Sequence, residues 1–108
     1  MKSYLFVCSK GVTRSPAAAS AAEEIAKGKK KKILTESLGL YSGARISADK
    51  INEFDKIFVM EEGMASTLRN EYHYKKPIVC LDIKDKDKYD SNDPELYKTL
   101  ISKLKRHI

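Results

Sequence analysis

Two side chains separated by five residues, Cys8 and Arg14, are the ones in this sequence best suited to chemistry. A cysteine thiolate is a strong nucleophile, and the planar guanidinium of arginine can bind two oxygens of a phosphate group at once. A short loop between them can turn its backbone N–H groups toward one point and form a site for an anion. The residues in and beside this loop that we expect to bind the substrate are Ser9, Lys10, Gly11, Val12, Thr13 and Ser15. The spacing therefore predicts an oxyanion site in which Cys8 attacks a phosphoryl group that Arg14 holds.

Ser15 directly follows the arginine and can serve this loop in two ways. Its hydroxyl can cap the N-terminus of a following helix, or it can donate a hydrogen bond to the sulfur of Cys8 and stabilise the thiolate. Pro16 suits the first helical position and Gly28 suits the C-terminal end, so we expect a helix over residues 15–28. The N-terminus of such a helix attracts anions, which suits the predicted site.

Apolar runs and amphipathic segments alternate along the rest of the chain. The predicted strands span residues 4–7, 32–37, 56–60 and 77–81, and the predicted helices span residues 15–28, 47–54, 61–72 and 94–107. Strands that alternate with helices indicate a parallel sheet with helices on both faces. The continuous apolar runs agree, because the strands of such a sheet are buried on both sides. The predicted fold class is therefore α/β, in one domain of residues 1–108 with four parallel strands. Ligands of such sheets bind beyond the carboxyl ends of the strands, where Cys8 stands.

The composition fits one soluble domain and argues against several other classes of protein. Hydrophobic residues make up 42% of the 108 residues, and charged residues make up 33%. No apolar run approaches the roughly 20 residues that a membrane helix needs, and the N-terminal run is too short for a signal peptide. We therefore expect a cytoplasmic protein with no membrane partner. No group of His, Cys and Asp has the spacing of metal ligands, and we expect neither a metal nor a cofactor.

A net charge of +6 favours anionic partners such as phosphorylated proteins. Much of the excess is in a lysine-rich run over residues 27–32, which fits the end of a helix because cations complement its negative dipole. This run contains no aromatic residues, whereas surfaces that stack nucleic-acid bases interleave aromatic side chains with the charges. The charge alone therefore does not favour a nucleic-acid partner.

Four parts of the sequence together resemble a known protein family over nearly the whole chain: residues 6–16, 36–39, 54–61, and 81–83 with 93–96. They are similar to the phosphate loop, the second and third strands and the C-terminal region of the low-molecular-weight protein tyrosine phosphatases, in particular of a compact prokaryotic-type branch. The resemblance implies a sheet with the strand order 2-1-3-4. It also implies hydrolysis of phosphotyrosine in proteins through a phosphocysteine on Cys8, without a metal, and inhibition by phosphate or similar oxyanions.

The departure of a tyrosyl oxygen needs a proton donor, and in the family an aspartate supplies the proton. Asp93 is our first candidate, because Asp93-Pro94 matches the family's Asp-Pro dipeptide. The same dipeptide is also a standard helix start, with Asp93 as the N-cap. If it is only a helix start, the acid is instead Asp85 or Asp87, and Asp82 at the end of the fourth strand is a third alternative.

Two tyrosines are further candidates for the substrate pocket. By their positions relative to the family, Tyr41 and Tyr89 would form walls around the phosphotyrosine ring.

Two other functions use the same loop. Some arsenate reductases share it but add a resolving pair of cysteines near the end of the third strand, where this chain has residues 60–63 without cysteine. Its second cysteine, Cys80, lies on the predicted fourth strand, where we expect a thiol of the core. The other alternative is a non-catalytic module that binds phosphate without hydrolysis.

Overall fold

Strands and helices alternate along the chain from its first residues. The computed structural model describes residues 1–8, 14–40, 47–83 and 94–108. The strands are β1 (Lys2–Cys8), β2 (Ile33–Gly39), β3 (Lys56–Val59) and β4 (Ile78–Cys80). The helices are α1 (Arg14–Gly28), α2 (Ala48–Asn52), α3 (Glu62–Glu71) and α4 (Pro94–Leu104). The predicted succession of elements is confirmed. None of the helices in these four ranges is long and apolar enough to cross a membrane.

The four strands form one sheet in the order β2-β1-β3-β4, and all neighbours are parallel. The predicted α/β class and strand order are therefore confirmed. Strands β1 and β3 lie at the centre, and their apolar runs are buried because helices cover both faces of the sheet. The edge strands are more exposed, with a mixed pattern along β2 and partial burial of all three residues of β4.

The order of the strands decides which helices share a face of the sheet. Crossovers between parallel strands are right-handed, so the step from β1 back to β2 puts α1 on one face, and the steps to β3 and β4 put α2 and α3 on the other. Helix α4 packs against α1. The buried face of α1 consists of small residues, which let the helix lie close to the sheet: Ala17, Ala18, Ala21, Ala22 and Ala26.

Aromatic rings fill the middle of the core. Phe6 of β1 stacks on Phe58 of β3 with ring centroids 4.9 Å apart, and both rings are fully buried. Tyr4 and His107 each meet Phe58 edge-on. Burial and the neighbouring Lys56 and Arg106 lower the pKa of His107. The imidazole therefore favours its neutral form, which suits a ring packed on the core.

The prediction that Ser15 caps helix α1 is wrong. The helix begins at Arg14, so Ser15 lies inside its first turn, and its hydroxyl lies beside the sulfur of Cys8. The contact that the second predicted role of Ser15 requires is present, and either group can donate in it. The predicted cap of α2 is confirmed, because the Ser47 hydroxyl accepts a hydrogen bond from the backbone N–H of Lys50.

The C-terminal end of α1 differs in detail from the prediction. The helix does end at Gly28, but the residue with left-handed backbone is Lys30, with φ of 57°. Backbone hydrogen bonds from Lys31 to the Ala26 carbonyl and from Lys30 to the Lys27 carbonyl close the end of the helix. This is the Schellman arrangement, in which glycine is the usual left-handed residue. Here a lysine occupies that position.

Candidate active site

The carboxyl edge of the sheet gathers the candidate site residues from three separate parts of the chain. Strand β1 ends at Cys8, whose carbonyl accepts a hydrogen bond from the Leu40 N–H just after β2. Met60, just after β3, donates its N–H to the Val7 carbonyl, and Ile83, beyond β4, donates its N–H to the Met60 carbonyl. These bonds hold the ends of the strands in register at the edge where parallel sheets bind their ligands.

The thiol of Cys8 lies against the hydroxyl of Ser15. Their Sγ and Oγ atoms are 3.1 Å apart, and both residues are almost fully buried, at 2% and 0% exposure. Either group can donate this hydrogen bond when the thiol is neutral. When the sulfur is ionised, only the hydroxyl can donate. The N-terminus of α1 lies beside this contact, and its dipole places a positive field there.

The guanidinium of Arg14 is buried, with 2% exposure, and the described part of the chain supplies two acceptors for it. Its Nη1 donates to Glu61 Oε1 at 2.7 Å and to the backbone carbonyl of Ile83 at 2.6 Å. A buried charge is tolerated only when it is paired and hydrogen-bonded, and Glu61 supplies both the charge and an acceptor. Glu61 is itself about half exposed, at 47%, so the pair reaches from the protein interior to the surface.

Glu61 and the Ile83 carbonyl are parts of the site that the sequence analysis did not identify. Glu61 occupies the N-cap position of α3, yet its side chain makes no capping hydrogen bond there. Its carboxylate instead contacts Arg14, which lies 47 residues earlier in the chain. The available signal was its place directly after β3, at the same sheet edge as Cys8. A backbone carbonyl such as that of Ile83 leaves no signal in the sequence.

Asp82 is the one candidate acid that the structure describes. It is exposed, has a left-handed backbone with φ of 52°, and its carbonyl accepts a hydrogen bond from Lys103 Nζ at 3.2 Å. The residue lines a surface depression together with Ser102 and Lys103 of α4. Aspartate tolerates the left-handed conformation better than most residues, so the turn after β4 explains this residue without a catalytic role.

The other candidates lie outside the described residues. They are the candidate acids Asp85, Asp87 and Asp93, the loop residues Ser9, Lys10, Gly11, Val12 and Thr13, and the pocket tyrosines Tyr41 and Tyr89.

The second cysteine occupies a different place in the sheet. Cys80 is partly buried on β4 and pairs with Val59 of β3, which in turn pairs with Val7 of β1. Burial, followed by the nearby Glu62, raises the pKa of the Cys80 thiol. Both cysteines are thiols, and two strand spacings of together about 10 Å separate Cys80 from the end of β1. A disulfide needs Cα atoms within about 7 Å, so a bond from Cys80 to Cys8 would require the backbone to move.

Metal-ligating side chains do not cluster in the described parts of the chain. Within those ranges, no group of three or more His, Cys, Asp or Glu residues could hold a metal ion.

No protein-family model matches the sequence, and no curated protein matches it either. Solved structures do match. The crystal structure of Primo-1 has a TM-score of 0.78 at 16% identity, covering 97% of this chain and 95% of that chain. A low-molecular-weight protein tyrosine phosphatase from T. tengcongensis has a TM-score of 0.69 at 18% identity and covers 100% of both chains. The chain has the fold of the low-molecular-weight protein tyrosine phosphatases.

The proteins that share this fold differ in what they act on. The arginine phosphatase YwlE, in a mutant whose active-site serine is phosphorylated, matches with a TM-score of 0.71 at 14% identity, covering 97% of this chain and 94% of that chain. Identities in this range establish the phosphatase fold and leave the chemistry to be argued from the residues of the site. The resemblance noted in the sequence is confirmed at the level of that fold.

Proposed function

We propose that this chain is a metal-free phosphomonoester hydrolase that removes phosphoryl groups from phosphotyrosine in proteins. The observation that carries the proposal is the buried contact between Cys8 Sγ and Ser15 Oγ at the carboxyl edge of the sheet. Ser15 directly follows Arg14 in the chain, and Arg14 is buried as well. A cysteine that only filled the core would not need a hydroxyl beside its sulfur. A phosphatase would use that hydroxyl to hold the thiolate, and it would use an arginine six residues further along the chain to bind the phosphoryl group.

The first half of the reaction transfers the phosphoryl group to the enzyme. The Cys8 thiolate attacks phosphorus, the bond from phosphorus to the tyrosyl oxygen breaks, and a phosphocysteine forms. The guanidinium of Arg14, held by Glu61 and the Ile83 carbonyl, binds the equatorial oxygens, where charge develops. An aspartate gives a proton to the departing tyrosyl oxygen. We assign this role to Asp93, with Asp85 or Asp87 as the next alternative and Asp82 as the last.

The second half releases phosphate. A water attacks phosphorus, the same aspartate accepts its proton, and the bond from phosphorus to sulfur breaks. The electron pair of that bond returns to sulfur, so the thiolate of Cys8 is restored beside the Ser15 hydroxyl. Inorganic phosphate, as the product, and similar oxyanions would inhibit by occupying the same site.

Hydrolysis assays with paired cysteine variants test this proposal. The substrates are peptides carrying phosphotyrosine, phosphoserine or phosphoarginine, together with an aryl phosphate; phosphoarginine is included because one structural neighbour is an arginine phosphatase. We expect the wild type to prefer phosphotyrosine and to be unaffected by a chelator. Cys8→Ser should abolish turnover and still bind phosphate, whereas Cys80→Ser should keep its activity. Substantial hydrolysis by Cys8→Ser would rule out the cysteine mechanism.

The same experiment separates the alternatives. A binding module would take up phosphate in the wild type without hydrolysing any substrate. An arsenate reductase would turn over arsenate with thioredoxin and lose this activity in Cys80→Ser. The position of Cys80, two strand spacings from the end of β1, counts against that route, because the resolving thiol must reach Cys8.

Leaving-group chemistry identifies the acid. An acid matters most for a poor leaving group, so replacing it should slow phosphotyrosine hydrolysis much more than hydrolysis of a nitrophenyl ester. Asp93→Asn is the sharpest variant, because asparagine caps a helix about as well as aspartate but cannot donate a carboxyl proton. Full activity of Asp93→Asn on phosphotyrosine would assign the role to Asp85 or Asp87.

A further inference from the structure

The outer edge of β2 carries backbone groups that point away from the sheet. Within residues 1–8, 14–40, 47–83 and 94–108, strand β2 has a single neighbour in the sheet order, β1. The N–H of Leu40, just after β2, bonds to the Cys8 carbonyl, so the even-numbered residues of this parallel strand bond toward β1. Successive residues of a strand direct their N–H and C=O groups to opposite sides. Ile33, Thr35 and Ser37 therefore direct these groups outward, along an edge that can pair with another strand.

The side chains of β2 alternate between the two faces of the sheet. Thr35 Oγ1 donates to Glu23 of α1 at 2.7 Å, whereas Glu36 forms an ion pair with Lys50 of α2 at 3.3 Å. The even-numbered side chains of β2, including Leu34 and Glu36, therefore lie on the α2 face. Continuing the alternation by one residue before the strand assigns the exposed Lys32 to the same face. Leu34 is one of the two large hydrophobic residues that the structure shows exposed, at 58%. The outer edge thus presents a cation, an exposed leucine and an anion in that order.

We propose that two copies of this chain pair through the outer edges of β2, antiparallel and centred on Leu34. With the two-fold axis at Leu34, every outward-directed residue of one strand faces an outward-directed residue of the other. Ile33 and Thr35 of opposite copies then face each other with outward N–H and C=O groups, and they exchange backbone hydrogen bonds. Leu34 faces Leu34 of the other copy in a non-hydrogen-bonded pair, where side chains approach most closely. Two four-stranded sheets become one continuous sheet.

Charge complementarity selects a second copy as the occupant. In this register Lys32 of each copy lies directly opposite Glu36 of the other, on the same face as the leucine pair. The leucine contact is therefore flanked on both sides by opposite charges. A pairing shifted by one residue would place groups that point inward opposite groups that point outward, and it would lose the backbone hydrogen bonds.

The interface is small, so the dimer forms reversibly. A single strand edge buries less than the roughly 1,200–2,000 Å² of a standard interface, and we expect a dissociation constant of about 10 µM to 1 mM. Sedimentation velocity of the full chain across this range should show a monomer that becomes a dimer. Amide hydrogen exchange should slow at Ile33 and Thr35 as the concentration rises. The Leu34 amide, which bonds toward β1, should exchange slowly throughout.

Charge-reversal variants test the register itself. Lys32→Glu and Glu36→Lys each place like charges opposite each other twice, so each alone should weaken dimerisation by about tenfold or more. The double variant restores both opposite-charge pairs and should dimerise like the wild type. An equimolar mixture of the two single variants should form heterodimers, because every cross-strand pair is again of opposite charge. Lys75→Glu and Glu71→Lys, at exposed positions outside β2, are controls with the same changes of charge.

These variants also separate folding from association. The Lys50–Glu36 pair is exposed and contributes little, so thermal unfolding of all variants should match that of the wild type. A wild type that stays monomeric at about 1 mM would overturn the proposal. So would a dimer that both single variants leave intact, because such a dimer would use another surface.

Discussion

At the residue scale, the proposed reaction depends most on the hydrogen bond between Ser15 and Cys8. It lies in a buried site, where a hydrogen bond to a charged group is worth about 1.5–3 kcal/mol. Ser15→Ala should therefore lower kcat about tenfold and slow alkylation of Cys8 by a similar factor near neutral pH. Ser20→Ala is the matched control, because Ser20 is exposed on the same helix. Equal alkylation rates in the wild type and Ser15→Ala would show that the hydroxyl does not stabilise the thiolate.

The role that we propose for Arg14 needs the planar shape of its guanidinium as well as its charge. Lysine at this position keeps the charge but loses the planar fork, so Arg14→Lys should lower the rate about a hundredfold or more, roughly 3 kcal/mol. Arg69 offers a close match in geometry, since its Nη1 donates to the carbonyls of Tyr74 and Lys76 at 2.7 and 2.9 Å. Arg69→Lys should lower the thermal stability, because lysine cannot reproduce both hydrogen bonds in the same geometry, and it should leave kcat unchanged. Activity near that of the wild type in Arg14→Lys would make Arg14 a structural residue.

At the scale of elements, the end of α1 has a glycine inside the helix, Gly28, and a lysine at the left-handed position that usually holds glycine, Lys30. Gly28 lies inside the helix with open space around a Cβ placed on it, and Lys30 has a positive φ. Gly28→Ala and Lys30→Gly should each raise the free energy of unfolding by about 0.5–1 kcal/mol. Lys27→Gly, the same substitution inside the helix, should lower it by about 1 kcal/mol. A loss of stability in Lys30→Gly would contradict the described helix end.

The N-terminal edge of the sheet depends on a carboxylate for its stability. The backbone N–H and hydroxyl of Ser3 both donate to Asp55 Oδ2, at 2.8 and 3.2 Å, and the backbone bond is the main cause of a lowered pKa of Asp55. A lowered pKa stabilises the folded state above the unfolded value of about 3.9, and this stabilisation is lost as the pH falls through the folded value. Thermal unfolding should show Asp55→Asn less stable than the wild type at neutral pH.

The difference between Asp55→Asn and the wild type should narrow below about pH 4, because the wild-type carboxylate is then protonated. Glu71→Gln, at an exposed position of α3, is the control and should follow the wild type across the range. A difference that stays constant to low pH would mean that the asparagine perturbs packing rather than charge.

Local patterns predicted the elements well and the contacts between them less well. The apolar runs around Phe6 and Phe58 predicted buried strands, because such runs suit a sheet covered on both faces. The Ser47 cap followed from a signal within three residues of the helix start. The role of Ser15 stayed open because a serine before a helix fits both a cap and a neighbour of the sulfur. The Arg14 bond to the Ile83 carbonyl spans 69 residues, and no local pattern encodes it.

At the scale of the whole molecule, charge and topology explain where the excess lysines lie. Lys29 Nζ donates to the carbonyl of Lys105 at 2.8 Å, and Lys31 Nζ donates to that of Ile108 at 2.9 Å. Two lysines of the predicted basic run therefore bind the segment that follows α4, which packs beside α1. The sequence predicted that these lysines lie at the end of a helix. The structure adds that Lys29 and Lys31 also donate to backbone carbonyls of the segment that follows α4.

The N-terminal and carboxyl edges of the sheet contain different kinds of contact. The N-terminal edge holds the Ser3–Asp55 pair, which links β1 to β3 and acts on stability. The carboxyl edge holds the ends of β1, β3 and β4; Cys8 ends β1, and Glu61 and Ile83, which follow β3 and β4, bind Arg14. The order of elements predicted only that Cys8 lies at the carboxyl edge, because parallel strands place all their carboxyl ends on one side.

The covalent intermediate is the central claim, and peptide mapping after a rapid quench tests it most directly. Wild-type protein is mixed with a phosphotyrosine peptide or an aryl phosphate, quenched in denaturant during turnover, and digested for mass spectrometry. We expect one phosphoryl group on the peptide that contains Cys8, formed in a burst before steady state, and the same result for Cys80→Ser. Turnover with no phosphoryl group on Cys8, or with the group on another residue, would contradict the account.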